Sequence, residues 1–443
     1  MQINITNRLY QNMPPTIADS ITVRAGMTAV KSRLEVTRNL TVPFRLSGDL
    51  ARRLHVKPDH RLQIRYDAAH NELHIGPYIG ILVNGLPNRS EYDPISLQAE
   101  LIYLSEIGKK MIAEVFVFTP SCIDWPSHTT RGYQYKRTTE HSGIWMESRY
   151  PLPDVVYDRI PSRAIEARKN IKFTRQKLMK MEHMKYFNPS FLNKWRVHKL
   201  LDENADLSCY LPQTKQLDPE NLLEMLERHK TVFIKPSNGS LGKGIVKAWK
   251  KRDTGMIHGI HGSRRSRHIK VRSVQEFLNK IASVTQSKPY IVQEGIDLIK
   301  YQHSNFDIRI IFQKNGQGEW IISKKFVRVA APKSSISNLS SGGRSERSVV
   351  VLRHIFQSNK SLIEEKNREM VRLCTMVAHT LEANSGKIFG ELGLDIGIDK
   401  SGRLWLIEVN SKPRKTTQTE MSQKIVYNTF SRPLAYAMHL AGF

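Results

Sequence analysis

Apolar positions along this chain follow three patterns, and each dictates an element. Residues 78–83, Tyr-Ile-Gly-Ile-Leu-Val, form the continuous apolar run that a strand buried on both faces requires. Leu97, Leu101, Leu104 and Met111 then share one helical stripe, and residues 112–118 return to a second buried run. Strand, helix and strand in this order make a βαβ unit. Val155, Val156 and Tyr157 supply a further strand, whose polar end carries Asp158, Arg159 and Arg163 where open α/β sheets bind ligands. Arg159 and Arg163 either hold an acidic group there or pair with Asp154 or Asp158.

Ahead of this unit the segments are short. Residues 40–42 read as a strand, Ser47 caps a brief helix through Leu54, and residues 61–66 and 72–75 form a hairpin around 67–71. This predicts a small β-rich module suited to packing or partner binding. Behind the unit, residues 162–181 are a basic helical segment, and a helix follows with Leu192, Trp195, Lys199 and Leu200 spaced for a buried face. A short strand ends at Thr214, and Asp218 caps a helix over 219–229 with Pro219 in its first turn.

The third pattern is strict alternation, and it carries the candidate chemistry. In residues 390–413, Leu394, Ile396 and Ile398 alternate with Gly393, Asp395 and Gly397, and residues 404–409 return after a turn. A four-residue loop, 399–402, puts Asp395, Glu408 and Asn410 on one face of this hairpin, with Ile396, Trp405, Ile407 and Val409 on the other. Two carboxylates and an amide oxygen suit Mg²⁺, and a solvated hairpin with stray acids is the alternative reading.

Upstream, residues 231–236 are a strand feeding into Ser237, Asn238, Gly239, Ser240, Leu241, Gly242, Lys243 and Gly244, followed by another strand through Trp249. Glycines at 239, 242 and 244 let backbone N–H groups approach a phosphate, with Ser237, Lys235 and Lys243 adding a hydroxyl and two charges. The run is not a P-loop, because Ser237 and Gly244 stand at its defining positions and no helix follows. Residues 290–297 are a buried strand ending in Gln293, Glu294, Ile296 and Asp297. Residues 306–311 place Asp307 and Arg309 on one face, paired through Asn315 and Gly316 with a strand that ends near Arg328. Arg309 either clamps a phosphoryl group or makes an ion pair across the strand with Asp307 or a neighbour. The loop 334–347, with Asn338, Gly342 and Gly343, reads as a mobile segment expected to face a substrate.

Composition adds two constraints. Lys and Arg number 68 against 41 acids, a formal net charge of +27, which draws the chain towards polyanions without naming one. No recognisable nucleic-acid module accompanies the basic residues, so nucleic acid is not an expected partner. A Gly/Arg/His-rich run at 251–272 holds seven Lys or Arg against one Asp. Three scattered cysteines, Cys122, Cys209 and Cys374, argue against a disulfide framework and a zinc site. No signal segment or bilayer-spanning apolar run is present, which predicts a soluble chain in a reducing compartment.

The order of a lysine strand, glycine loop, Gln-Glu turn, Asp-x-Arg strand, Asn…Gly-Gly loop, Asp strand and Glu-x-Asn strand resembles the ATP-grasp superfamily over residues 187–443. With residues 73–82 and 157–163, the likeness to the YheC/YheD endospore coat-associated family extends over nearly the whole chain. The resemblance implies that Lys194 and Lys235 contact ATP phosphates, that Gln293 to Ile296 hold adenine, and that Glu294 or Asp297 holds the ribose. It places Arg309 at the transferred phosphoryl, Arg328 and Asn338 near the acceptor, and Asp395, Glu408 and Asn410 around two Mg²⁺. Family members often carry a glycine after the Asn-x-x-Pro run, whereas Pro413 is followed here by Arg414 and Lys415.

The expected fold is α/β and α+β: a β-rich module over 1–75, a Rossmann-like pre-ATP-grasp domain over 76–186, and a two-lobed ATP-grasp domain over 187–443 onto whose last lobe the C-terminal helix, 421–440, packs. The expected activity is a Mg²⁺- and ATP-dependent ligase joining an unknown carboxylate to an amine or thiol through an acyl phosphate. The alternatives are a non-catalytic coat protein and a kinase-like phosphotransferase. By the same resemblance the chain is expected in the mother-cell cytoplasm and at the spore coat, with coat proteins or an anionic polymer as partners.

Overall fold

The computed structural model describes residues 1–443 except 14–19, 39, 58–60, 88–92, 140–141, 240–241, 262–266, 286–287, 332–341 and 419–421. The described residues form two compact units, one of Met1–Ser190, Gln313–Glu319 and Arg414–Phe443, the other of Phe191–Phe312 and Trp320–Pro413.

In the first unit, six short strands form one sheet: β1 (Gln2–Thr6), β2 (Ser20–Ala25), β3 (Thr28–Thr37), β4 (Phe44–Leu46), β5 (Gln63–Asp67) and β6 (Glu72–Gly76), in the order β4-β1-β3-β2-β6-β5. Ile3, Ile5, Ile21 and Val23 are buried by period-2 alternation and anchor it. The strand expected at 40–42 begins instead at Phe44. Pro43 offers no N–H to extend the ladder upstream, and only its carbonyl is used, accepting from Thr6 N at 3.2 Å. Helices α1 (Asn7–Tyr10) and α2 (Gly48–Leu54) lie beside this sheet, and Ser47 Oγ caps α2 as expected.

A second sheet holds β7 (Tyr78–Leu82), β8 (Glu114–Asp124), β9 (Thr129–Arg137), β10 (Gly143–Pro151), β11 (Val155–Asp158) and β12 (Lys185–Phe187), in the order β10-β9-β8-β7-β11-β12. Strands β8, β7, β11 and β12 run parallel, with α3 (Leu97–Gly108) as the crossover between β7 and β8. Leu101 and Leu104 are buried as the stripe requires, but α3 ends at Gly108 and Met111 lies beyond it. The basic segment after β11 is two helices, α4 (Arg163–Glu166) and α5 (Lys169–Met179). Arg159 pairs with buried Glu100 at 2.7 Å, and Asp158 takes Arg175 at 2.6 Å.

The C-terminal helix, Gln423–Leu440, packs on α3, β11 and β7, and also meets Gln313, whose Nε2 donates to Thr429 O at 2.8 Å, and Lys314, whose Nζ donates to Tyr436 Oη at 3.2 Å. The cause is its buried face of Phe430, Leu434, Tyr436 and Ala437, with Phe430 against Tyr103 and Tyr436 against Phe187.

The second unit opens with α6 (Lys194–Asp202) and α7 (Ala205–Ser208). The buried residues of α6 are Val197 and Leu201 rather than Trp195, Lys199 and Leu200, because the helix starts only at Lys194, capped by Asn193 Oδ1. An antiparallel sheet follows, of β13 (Thr214–Gln216), β14 (Val232–Pro236), β15 (Val246–Lys250), β16 (Ile257–His261), β17 (Arg267–Val271) and β18 (Tyr290–Glu294), in the order β13-β18-β14-β15-β16-β17. Helices α8 (Pro219–Arg228) and α9 (Val274–Thr285) cover one face through Leu222, Met225, Phe277 and Ile281.

The last sheet holds β19 (Lys300–Tyr301), β20 (Ser304–Lys314), β21 (Trp320–Val329), β22 (Arg344–Arg347), β23 (Glu391–Ile398) and β24 (Leu404–Asn410), in the order β22-β21-β20-β23-β24 with β19 on β20. Helices α10 (Ser348–Ile355) and α11 (Lys360–Ser385) complete its core with Phe306, Ile308, Ile310, Phe312, Leu394, Ile396, Leu404, Leu406 and Val409. Among the described residues no helix is long and apolar enough to cross a membrane.

Candidate functional site

Asp395 and Glu408 face each other directly across β23 and β24, and Gly393 faces Asn410. The route to this pairing differs from the four-residue loop expected. The loop is five residues, 399–403, because Ile398 pairs with Leu404, and an odd loop alone would put Glu408 on the wrong face. A bulge between Asp395 and Ile396 restores the parity by leaving Ile407 without a partner. Asp399 sets the loop, its Oδ1 accepting from Ser401 N at 2.9 Å and Arg403 N at 3.1 Å, with Gly402 at φ 84°. As a result Leu404 and Leu406, not Trp405 and Ile407, share the core face with Ile396 and Val409. Trp405 opposes Gly397, its indole N–H donating to Asp399 Oδ2 at 2.9 Å.

The acids are not left uncompensated. Asp395 is buried between Arg309, whose Nε lies 2.5 Å from Oδ1, and Arg328, whose NH2 lies 2.8 Å from Oδ2. Arg328 also donates to Asp307 at 2.7 Å. Thus the partner of Arg309 is Asp395, not Asp307, and Arg328 bridges both acids. Burial pushes the Asp395 carboxyl up to about 6, with the two guanidiniums opposing. Glu408 Oε1 accepts from Lys194 Nζ at 2.6 Å. Burial opposes ionisation of Glu408, and Lys194, helped by Arg309 and Lys235, overrides it and holds the carboxyl below its usual range.

Lys194 ties the hairpin to the glycine loop. Its backbone N donates to Ser237 O at 2.8 Å and its Nζ to Gly239 O at 3.3 Å. Ser237 is buried, and a Cβ on residue 239 would meet Pro236 Cγ at 2.3 Å, so this approach demands glycine. Gly242 and Gly244 take φ of 70° and 74°. Lys243 is exposed, and residues 240–241 lie outside the described residues. On the neighbouring strand Lys235 Nζ donates to Gln293 Oε1 at 2.6 Å. Burial pushes the Lys235 ammonium down to about 8, with Lys194 adding to the shift and Glu408 opposing it.

A cleft opens beside these groups, lined by Lys194, Gln293 and Glu408 among apolar neighbours such as Leu211, Ile291 and Leu406. Charged groups beside apolar ones suit a flat heterocycle carrying anionic substituents. Val197, His198 and Leu201 also line it, and their spacing from Lys194 marks one helix face readable in the sequence. Other expected residues stand apart from the cleft lining. Glu294 accepts from Gln213 N at 3.2 Å, Asp297 pairs in the open with Lys400 at 2.7 Å, and Ile296 does not line the cleft. Asn338 lies outside the described residues.

The donor set of Asp395, Glu408 and Asn410 is all oxygen, as a hard divalent cation requires. Asp395 Oδ1 is buried without a hydrogen-bond donor, because the nearby Arg309 Nε lies off hydrogen-bond geometry. An orphaned carboxylate oxygen beside a second carboxylate fits such a cation, which would compete with Lys194 for Glu408.

An antiparallel lid sheet with a lysine strand and glycine loop, and a second sheet ending in a carboxylate hairpin, define the ATP-grasp fold. The chain belongs to the YheC/D like ATP-grasp family, whose model matches residues 183–440. It is 28% identical over 421 residues to the endospore coat-associated protein YheD of Bacillus subtilis (strain 168), covering 94% of this chain and 90% of that protein. It is 25% identical over 368 residues to YheC of the same organism, covering 78% and 94% respectively. Among solved structures, the VanG D-Ala:D-Ser ligase of Enterococcus faecalis matches 82% of this chain and 99% of its own at 12% identity and a TM-score of 0.44.

Proposed function

We propose that this chain binds Mg·ATP and uses it to activate a carboxylate as an acyl phosphate, which an amine or thiol then attacks. The observation that carries the reading is the convergence of Lys194, Lys235, Arg309, Arg328, Asp395 and Glu408 beside a half-apolar cleft. In this reading Leu211, Ile291 and Leu406 hold the adenine ring, with Gln293 at its edge. Lys194 and Lys235 neutralise phosphate oxygens, and the loop at Ser237, Gly239, Gly242 and Lys243 covers them with backbone N–H groups. Asp395, Glu408 and Asn410 would hold two Mg²⁺ ions, which when bound would supply charge neutralisation across the phosphates. Arg309 turns from Asp395 to the transferred phosphoryl, and Arg328 orients the acceptor. Glu294 or Asp297 serves the ribose and Asn338 the acceptor. No general base is required of the protein, because transfer of this kind rests on positioning and electrostatics. By likeness to YheD and YheC, the place of action is the endospore coat.

One observation favours the second reading, a non-catalytic coat protein: in this structure each of the two acids is ion-paired with cations of the chain itself. Calorimetric titration of ATP with and without Mg²⁺, on wild type and on Asp395→Asn/Glu408→Gln, separates the two. Mg²⁺-dependent binding that the double variant loses supports the enzyme reading, and ADP release with paired carboxylates and amines then identifies the substrates. Absence of binding in wild type overturns it in favour of the coat protein.

A further inference from the structure

We propose that His70, Glu72 and His183, in the first unit, form a binding site for a borderline divalent transition-metal ion of the Zn²⁺ class, separate from the nucleotide site. One nitrogen or oxygen from each side chain lies within 4.8 Å of the others, and this is the one His/Cys/Asp/Glu trio so gathered among the described residues. The three come from distant parts of the chain. His70 sits in the turn between β5 and β6, held by Asn71 at φ 51°, and Glu72 opens β6, where it pairs in register with Thr22. His183 sits in the turn between α5 and β12. The two imidazoles meet edge to face, with ring centroids 4.5 Å apart.

The surroundings orient these ligands as metal sites require. Asp67 Oδ2 lies 3.3 Å from His70 Nδ1, the carboxylate–imidazole contact that fixes a ring and leaves its other nitrogen to ligate. Arg24 Nε holds Glu72 Oε1 at 2.6 Å, so the buried carboxylate cannot swing away. Its second oxygen makes no hydrogen bond among the described residues. Two imidazoles and one carboxylate select Zn²⁺, Co²⁺ or Ni²⁺ over Mg²⁺ or Ca²⁺, which demand more oxygens. Metal–ligand bonds of about 2.0–2.2 Å place tetrahedral donors about 3.3–3.6 Å apart, inside the 4.8 Å that bounds the three ligand atoms here, and water would complete the shell. Arg24 and Arg65 oppose the cation's charge, which keeps the affinity modest. The scattered cysteines argue against a zinc site in the sequence, and convergence of histidines cannot be read from positions more than a hundred residues apart.

The test uses full-length, untagged protein stripped of metal by chelator. Zn²⁺ is titrated calorimetrically into wild type, His70→Ala and His183→Ala, and visible absorption follows Co²⁺ substitution. The expected result is one equivalent bound by wild type, with affinity falling at least ten-fold in each variant and an absorption band of low-symmetry Co²⁺ that both variants lose. Zn²⁺ should raise the melting temperature of wild type alone, and with chelator present all three proteins should melt together. Equal Zn²⁺ affinity in the variants, or no binding by wild type, overturns the proposal.

Discussion

At the scale of single residues, Lys235 is where the site stores its cost. Its ammonium is pushed down to about 8 by burial, whereas the unfolded chain titrates near 10.5. Between these values the unfolded chain binds more protons than the folded one, so stability rises as pH climbs from about 8 to 10.5. Below about 8 the ammonium is charged in both states, and the folded chain carries a penalty of about 1–3 kcal/mol. Bound phosphate would remove that penalty by supplying the missing anion. Lys235→Met should therefore raise the urea midpoint at pH 7, abolish the alkaline gain in stability, and weaken ATP binding at least ten-fold. Urea titrations at pH 7 and 9.5, with calorimetry, check all three. An unchanged alkaline gain would assign it to another group.

At the scale of elements, the hairpin shows what a sequence can and cannot say. The facing of Asp395 and Glu408 was legible from alternation, but the loop length behind it was not. Whether residue 403 belongs to the turn depends on Asp399 reaching two backbone N–H groups, and the extra residue is absorbed only because Ile407 bulges. Two errors of one residue cancel in the acids and persist in Trp405 and Ile407. Likewise the strand and glycine-loop elements were readable, while the ion pairs that tie Arg309 and Arg328 to Asp395 depend on strand order, since β20 lies next to β23 rather than in sequence with it. Asp399→Ala removes the acceptor that sets the loop and frees the Trp405 indole. It should cost about 1–3 kcal/mol in urea unfolding and weaken Mg·ATP binding by loosening the pairing of Asp395 with Glu408. Wild-type stability in this variant would show that the bulge alone sets the register.

At the scale of the whole molecule, the first unit is completed by the end of the chain. Residues 414–443 belong to it although they follow the second unit in sequence, and local pattern names a helix without naming its distant partner. The Arg414-Lys415 pair, a departure from the family's glycine, belongs to that segment. Lys415 is buried, donating to Tyr157 Oη at 2.8 Å and lying 3.2 Å from Glu100. Glu100 also takes Arg159 at 2.7 Å, so one buried carboxylate joins α3, the end of β11 and the returning segment. Lys415→Met keeps the aliphatic stem in place but deletes the charge, leaving Arg159 as the cation facing Glu100. Breaking a buried pair outright costs about 3–5 kcal/mol, and the remaining guanidinium should reduce this to about 2–3 kcal/mol. Urea unfolding of Lys415→Met, Glu100→Gln and the double variant measures the coupling. The double variant should be less destabilised than the sum of the singles, because Glu100→Gln removes the charge that Lys415→Met strands. Additive losses would mean that Lys415 is held by Tyr157 and its apolar stem, with no share in the Glu100 pair.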